Sequence, residues 1–250
     1  MGWEHVLFAS WPVDPELVEP KLPDGLTADT YDGDAYLSVV PFTNVDVRPE
    51  WLPAGVGLPL PELNLRTYVR LSDAAAAGVT DGDAVGGTPT DPDAGVYFFS
   101  LDAEGLAGVA GARLFHGLPY YLAKIDLQET DDGVRFESRR RHPGARATAF
   151  AARYGPTGEE FTAESGSLDS FLTDRARYFA ETSDGDLRYA TVSHERWPLY
   201  EADAEFYRND LFAANGFREP TGEPSLLYSP RVTTRASESK SVAELAASTQ

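Results

Sequence analysis

Apolar and polar residues alternate along much of this chain with a period of two, the mark of β-strands buried on one face. The clearest run is 63–71. There Leu63, Leu65, Thr67, Val69 and Leu71 share one face, and Glu62, Asn64, Arg66, Tyr68 and Arg70 share the other. Further strands are expected at 6–10, 96–101, 146–154, 187–194 and 226–234. Two hairpins fit the turn residues: 26–31 with 35–42 around Asp32-Gly33, and 120–130 with 134–141 around Asp131-Asp132-Gly133.

Helical signals are fewer. Asp14 followed by Pro15 predicts a short helix over 14–22. Ser167 is placed to cap the best helix, 167–180, in which Leu168, Phe171, Leu172, Arg175, Tyr178 and Phe179 recur at helical spacing. Small residues over 104–115 predict a helix packed closely on a sheet, and 205–214 reads as a short helix ended by Asn215-Gly216. Residues 43–61 read as an irregular loop rich in Pro and Gly. Residues 72–94, with five Asp and no cation, read as a flexible acidic surface insertion. The Ser-, Ala- and charge-rich stretch 237–250 reads as a disordered tail. With no internal repeat and no linker, the economical reading is one domain over 1–236, mainly β with a few peripheral helices.

Composition supports that class. The chain has 250 residues and 42% hydrophobic content, enough for one large core. Its 22 Gly and 18 Pro suit many turns, and its 12 Tyr, 13 Phe and 4 Trp suit strands. Charge changes the picture more. Asp plus Glu number 40 against 21 Lys plus Arg, a formal net charge of −19. Only Lys21, Lys124 and Lys240 are lysines. Such self-repulsion is relieved in brine, where the Debye length falls to roughly 3 Å at 1 M salt, so the composition points to a salt-adapted, halophilic cell. It also argues against a nucleic-acid partner, since phosphate binding needs clustered cations; Arg139, Arg140 and Arg141 form only a short basic run.

There is no Cys, hence no disulfide and no thiolate chemistry. The four His (His5, His116, His142, His194) show no metal-ligand spacing, so neither a metal nor any other cofactor is expected. No charged-then-apolar leader opens the sequence and no apolar run approaches membrane-spanning length, which predicts a cytoplasmic protein with no membrane partner. An exposed apolar strand edge would offer a homodimer contact. The sequence contains no G-x-S-x-G elbow, P-loop or G-x-G-x-x-G.

Several segments are more specific: FASWPVDPELVEPKLPDGL with DGDAYLSVVPF, LPELNLRTYVR with VYFFSLDAEGLAGVAGARLFHGLPYYLAKI, ESGSLDSFLTDRARYF, and HERWPLYEADAE. In this order they resemble the YqjF-like family of unknown function, over nearly the whole chain from Trp3 to about Thr234. That family is distantly similar to acetoacetate decarboxylase. The decarboxylases carry Tyr-Pro-Lys-Lys-Leu-Ala at the start of a strand, where this chain has Leu118-Pro119-Tyr120-Tyr121-Leu122-Ala123. Their glutamate-bearing strand has a counterpart at Glu62. The resemblance implies an acetoacetate decarboxylase-like β-barrel with a central cavity. In the decarboxylases the first lysine forms a Schiff base and the second helps depress its pKa. Tyr120 and Tyr121 stand there instead, and a phenol cannot form an iminium, so Schiff-base decarboxylation is not expected. Lys124, roughly 13 Å further along the strand, is a poor substitute.

If the barrel holds, Glu62, Asn64 and Arg66 project inward beside Tyr120. Arg66 presents a planar fork suited to a carboxylate, Tyr68, Tyr97, Phe99 and Tyr120 supply aromatic walls, and His116 lies near the mouth. Glu62 and Tyr120 are the candidate catalytic pair; Arg66, Asn64, Tyr121, His116 and Tyr97 are the candidate ligand-binding residues. Three functional classes fit: a pocket binding a small anionic organic molecule; a lyase or isomerase acting on a keto acid or lactone, with Glu62 as base and Tyr120 or His116 as acid; and a scaffold with a vestigial pocket.

Overall fold

The structure is a computed structural model that describes residues 1–47, 57–72, 75, 91, 93–105, 109 and 117–247. Its strands are β1 (Gly2–Val13), β2 (Leu26–Ala28), β3 (Ala35–Val47), β4 (Leu58–Leu71), β5 (Ala94–Ala103), β6 (Tyr120–Thr130), β7 (Gly133–Arg140), β8 (Ala149–Phe161), β9 (Arg177–Glu181), β10 (Leu187–His194), β11 (Leu199–Asn209), β12 (Ser225–Ala236) and β13 (Lys240–Ser241). The helices are short: α1 (Pro15–Val18), α2 (Leu168–Thr173), α3 (Leu211–Ala214) and α4 (Val242–Ala247). The fold is mainly β, as the alternation predicts.

The strand order is β13-β10-β9-β5-β6-β7-β8-β11-β12-β1-β3-β4-β2. Two additional pairings, β5–β4 and β10–β12, bring the sheet back on itself twice. The first closes a large circuit through β5, β6, β7, β8, β11, β12, β1, β3 and β4. The second closes a smaller one through β5, β9, β10, β12, β1, β3 and β4. The two circuits share β12, β1, β3, β4 and β5, so these strands are covered on both faces. All pairings are antiparallel except β5–β6 and β5–β9. Gly95 permits the close approach of β9: a Cβ there would lie 2.7 Å from the Phe179 ring.

The largest apolar cluster fills the large circuit. Leu7, Leu37, Leu63, Leu65, Phe136 and Phe150 are all at most 1% exposed, and α3 adds Leu211 and Phe212 to the cluster. Burial of this kind stabilises by about 25 cal/mol per Å² of apolar surface.

Several local expectations are corrected. The helix over 14–22 is there as α1 plus a 3-10 turn at Glu19–Lys21, with the Asp14 carboxylate accepting from the Glu16 amide at 2.9 Å. The hairpin over 120–141 is also there. The hairpin over 26–42 is not: β2 pairs with β4, and β3 pairs with β1 and β4. Only the Tyr31–Asp34 turn survives, with Asp32 and Gly33 at φ of 52° and 93°. The helix expected over 167–180 stops at Thr173. Asp174 leaves helical geometry, and Arg177–Glu181 pairs with β5 and β10 instead; β-forming Tyr178 and Phe179 gain partners on two sides, which outweighs their helical spacing. Residues 205–209 belong to β11, leaving only Leu211–Ala214 helical. Part of 43–61 is strand, since β3 runs to Val47 and β4 begins at Leu58.

The expected tail folds as far as residue 247, in β13 and α4, its last three residues lying outside the described ones: Lys240 and Ser241 pair with β10, the Ser241 hydroxyl donates to Asp186 at 2.6 Å, and Val242 is buried. Nearly all of the expected acidic insertion, and most of the expected helix over 104–115, lie outside the described residues; Val109 is helical and its amide donates to the Gly105 carbonyl. Among the described residues, no helix is long and apolar enough to cross a membrane.

Candidate functional site

Residues of the smaller circuit line one side of a pocket of about 380 Å³. It lies on the opposite face of the shared strands from the large core. The rule of alternation explains why: Leu63 and Leu65 point into the core, so Glu62, Asn64 and Arg66 point into the pocket. Cross-strand neighbours arrange the walls in rows. Glu62 faces Phe42 and Ala103, Asn64 faces Val40 and Leu101, and Arg66 faces Ser38 and Phe98. β1 contributes Trp3, Val6 and Phe8, and β9 contributes Tyr178.

At one end, Glu62 is 6% exposed. Its Oε2 accepts from the Tyr120 hydroxyl at 2.9 Å and from the Asn44 amide at 3.2 Å. Burial in this apolar setting raises the Glu62 carboxyl to about 7, although the bonds from Tyr120, Asn44 and Asn64 pull the other way. Burial, reinforced by the neighbouring Glu62, holds the Tyr120 phenol well above its ordinary value, so it stays protonated. Trp3 fixes Asn44 by donating its indole N–H to Oδ1 at 2.9 Å. This leaves the Asn44 amide to serve Glu62.

At the other end stands Arg66. Its guanidinium donates to the Leu172 carbonyl on α2 at 3.1 Å and lies 5.3 Å from the Phe8 ring and 5.6 Å from the Tyr68 ring. Nε is buried with no hydrogen-bond partner. Among the described residues no carboxylate pairs with it. Thr173, Arg175, Arg177 and His194 line the pocket near this end. Arg175 is committed to Asp29 at 2.7 Å. His194 Nδ1 lies 2.7 Å from the Glu195 carbonyl, which can only accept, so Nδ1 carries the proton and the neutral ring keeps Nε2 as an acceptor. Burial lowers the His194 pKa and favours that neutral form.

Glu62, Asn64, Arg66 and Tyr120 therefore all line this pocket. Tyr121 and Tyr97 are not among them. Tyr121 is next to Tyr120 on β6 and so points the other way, where its ring packs 3.9 Å from Arg140. Tyr97 is turned by a bulge in β5: Leu65 pairs with Ser100 but Arg66 with Phe98. The extra residue reverses the facing of everything before it. Phe98 and Val96 enter the pocket, while Phe99 joins the large core and Tyr97 packs beside Leu26 and Leu71. Tyr68 is fully buried, with its hydroxyl 2.8 Å from the Leu172 carbonyl, and forms no wall. His116 lies outside the described residues. Lys124 is exposed on β6, and neither Lys21 nor Lys240 lines the pocket.

Sequence reasoning missed Asn44, His194, Trp3 and Trp197. The signal for two of them was present in HERWPLYEADAE, where His194 and Trp197 pack with ring centroids 4.9 Å apart. Among the described residues, no group of three or more His, Cys, Asp or Glu is placed to hold a metal ion.

Comparison with known proteins agrees with this architecture. The model of the family described as "Uncharacterized conserved protein", DUF2071, matches residues 1–82 and 85–233. The uncharacterized protein YqjF of Bacillus subtilis (strain 168) is 37% identical over 230 residues, covering 92% of this chain and 86% of its own. Among solved structures, acetoacetate decarboxylase from Legionella pneumophila superposes with a TM-score of 0.56 at 14% identity, over 96% of this chain and 87% of that one. The enduracididine biosynthesis enzyme MppR, complexed with pyruvate, gives 0.61 at 13% identity, over 96% and 89%. These identities speak to fold alone. The chain belongs to the DUF2071 family of uncharacterized conserved proteins and has an acetoacetate decarboxylase-like fold.

Proposed function

We propose that this protein binds a small organic carboxylate in a barrel cavity, without Schiff-base chemistry. The observation that carries the reading is Arg66: a cation facing an apolar pocket, with Nε unpartnered and no carboxylate among the described residues to neutralise it. A guanidinium so placed lacks an anion, and a ligand carboxylate supplies one in bidentate geometry. The strand pairings that return on themselves support the barrel, and the pocket volume sits within the common range for small-molecule sites. A fold neighbour complexed with pyruvate is consistent with such an occupant. The test is calorimetry with a panel of organic carboxylates in concentrated salt. Binding that weakens at least tenfold in Arg66→Gln supports the reading; no binding by any carboxylate ends it.

A second reading, an acid–base enzyme acting on a keto acid or lactone, is favoured by one observation. The Glu62 carboxyl, at about 7, is poised to take a proton at neutral pH, with Tyr120 as a permanent donor beside it. Deuterium exchange next to the carbonyl of a bound oxo acid, followed by NMR, reads this directly. Exchange should be lost in Glu62→Gln, and its absence in the unaltered protein would leave only the binding function.

The charge balance supports a salt-adapted setting. At a net charge of −19, the thermal midpoint should rise as salt is raised toward molar concentrations. A midpoint that falls or stays flat in a scanning calorimeter removes that proposal.

A further inference from the structure

The two polar ends of the pocket are far apart. Glu62 and Arg66 are four residues apart on one face of β4, roughly 13 Å along the strand at about 3.3 Å per residue. The two side chains bond different partners and not each other. Arg66 is tied to Tyr68 and α2: Nη2 lies 3.5 Å from the Tyr68 hydroxyl and 3.1 Å from the Leu172 carbonyl. Glu62 is tied instead to Asn44 and Tyr120. Asn64, between them on the same face, bonds Glu62 through its side chain and leaves its Oδ1 buried without a partner. Apart from Asn64, the middle of the pocket is walled mainly by apolar surface, from Val40, Leu101, Phe8, Phe98 and the Tyr178 ring. The ends also differ in charge, with Glu62 and Glu104 at one and Arg66, Arg175, Arg177 and His194 at the other.

We infer that the ligand is an elongated carboxylate with a second polar group at its far end, and is not a short oxo acid. The inference rests on the carboxylate-binding reading and narrows it. The carboxylate sits on Arg66, an apolar chain or ring crosses the middle, and a distal hydroxyl or carbonyl meets the Glu62–Tyr120 pair. Allowing a hydrogen bond of about 2.9 Å at each end leaves roughly 7 Å for the ligand. That is five or six carbon–carbon bonds of about 1.5 Å each in a zigzag chain. In pyruvate or acetoacetate the two polar groups are one or two carbons apart. Either one anchored on Arg66 would leave Glu62 unreached, and anchored on Glu62 would leave Arg66 unneutralised.

The experiment is calorimetry in concentrated salt with ω-hydroxyhexanoate, hexanoate, ω-hydroxybutyrate, acetoacetate and pyruvate. The hydroxyhexanoate should bind about tenfold or more tightly than the shorter three, and about tenfold more tightly than hexanoate, which leaves the Glu62 end unsatisfied. Glu62→Leu should abolish the preference over hexanoate while hexanoate itself still binds; circular dichroism confirms that the variant is folded. The length series in the unaltered protein stands even if that variant does not fold. Short oxo acids binding as tightly as ω-hydroxyhexanoate would overturn the inference and leave the carboxylate pocket intact. Failure of every carboxylate to bind would remove both.

Discussion

Two faces of the same five strands have opposite fates. β12, β1, β3, β4 and β5 present Leu7, Leu37, Leu63 and Leu65 to one side, where they interlock with β6, β7, β8 and α3 into a filled core. The alternate residues, Val6, Phe8, Val40 and Phe42, face the other side and wall a pocket of about 380 Å³. Both sides are apolar, as expected for strands covered on both faces. Polar residues on the filled side, Thr67, Ser100 and Asp102, are bonded by Tyr36, Asn215 and Arg140; what distinguishes the other side is that Glu62, Asn64 and Arg66 stand there with Asn64 Oδ1 and Arg66 Nε left without a partner. On a half-exposed sheet such residues meet water and carry no information. Here they are desolvated, so each needs a partner, and where the protein supplies too few the arrangement points to a ligand.

The contrast is testable by truncation. Phe136, with no measurable exposure in the filled core, should cost about 3–5 kcal/mol as Phe136→Ala, because transfer and cavity terms both apply. Phe42→Ala on the pocket wall should cost about half as much or less, since that ring already borders open space and its removal only enlarges it. Urea unfolding of the two variants decides it. Equal losses would mean that the two faces are packed alike and the comparison fails.

A second test concerns the buried carboxyl. Glu62 is raised from 4.5 to about 7 in the folded protein. Between those values the folded state holds a proton that the unfolded state has lost, so this group's contribution to stability falls as pH rises through that window and levels off above it. The shift corresponds to about 3 kcal/mol. Glu62→Gln, which keeps the polar shape without the charge, should match the unaltered protein at low pH. It should become more stable than it by about that amount above neutrality, read from urea melts across pH. A difference that does not change with pH would show that Glu62 titrates as an ordinary surface carboxylate and would place it outside the desolvated end.

Much of this contrast is legible in the sequence, and the limits are physical. The alternation over 62–71 separates the two faces of β4 correctly and picks out Glu62, Asn64 and Arg66. It cannot reveal that both faces are buried, because that depends on which distant strands cover them. Tyr97 is misplaced by a single bulged residue in β5, a register event that leaves no mark in composition. Tyr121 is a different case. Its neighbour Tyr120 faces the pocket, and strict alternation already forbids both rings from doing so. The helix expected through Phe179 fails because helical spacing is a local signal, whereas β9 forms by pairing with β5 and β10, both distant in the chain or reached only through a turn. His194 escapes notice since a lone His in a strand shows nothing until the fold sets it among arginines.

The smallest expected effect bears most directly on why the hollow side is built as it is. Arg66→Met should change stability by no more than about 1 kcal/mol in either direction. The guanidinium is half-buried, its Nε has no partner, and no described carboxylate neutralises it. The bond it gives up, to the Leu172 carbonyl, leaves no orphan, because the Tyr68 hydroxyl donates to the same oxygen at 2.8 Å. Met is of similar length and can lie between the Phe8 and Tyr68 rings that now flank the guanidinium. Replacing an under-partnered cation by an apolar chain is close to neutral or stabilising, whereas removing one member of a satisfied pair is costly. Carboxylate binding, by contrast, should weaken at least tenfold in the same variant. That split, stability held and binding lost, is the signature of a residue kept for a ligand. A loss above about 2 kcal/mol in urea melts would instead make Arg66 a structural brace between β4 and α2, as firmly built in as the residues on the filled side.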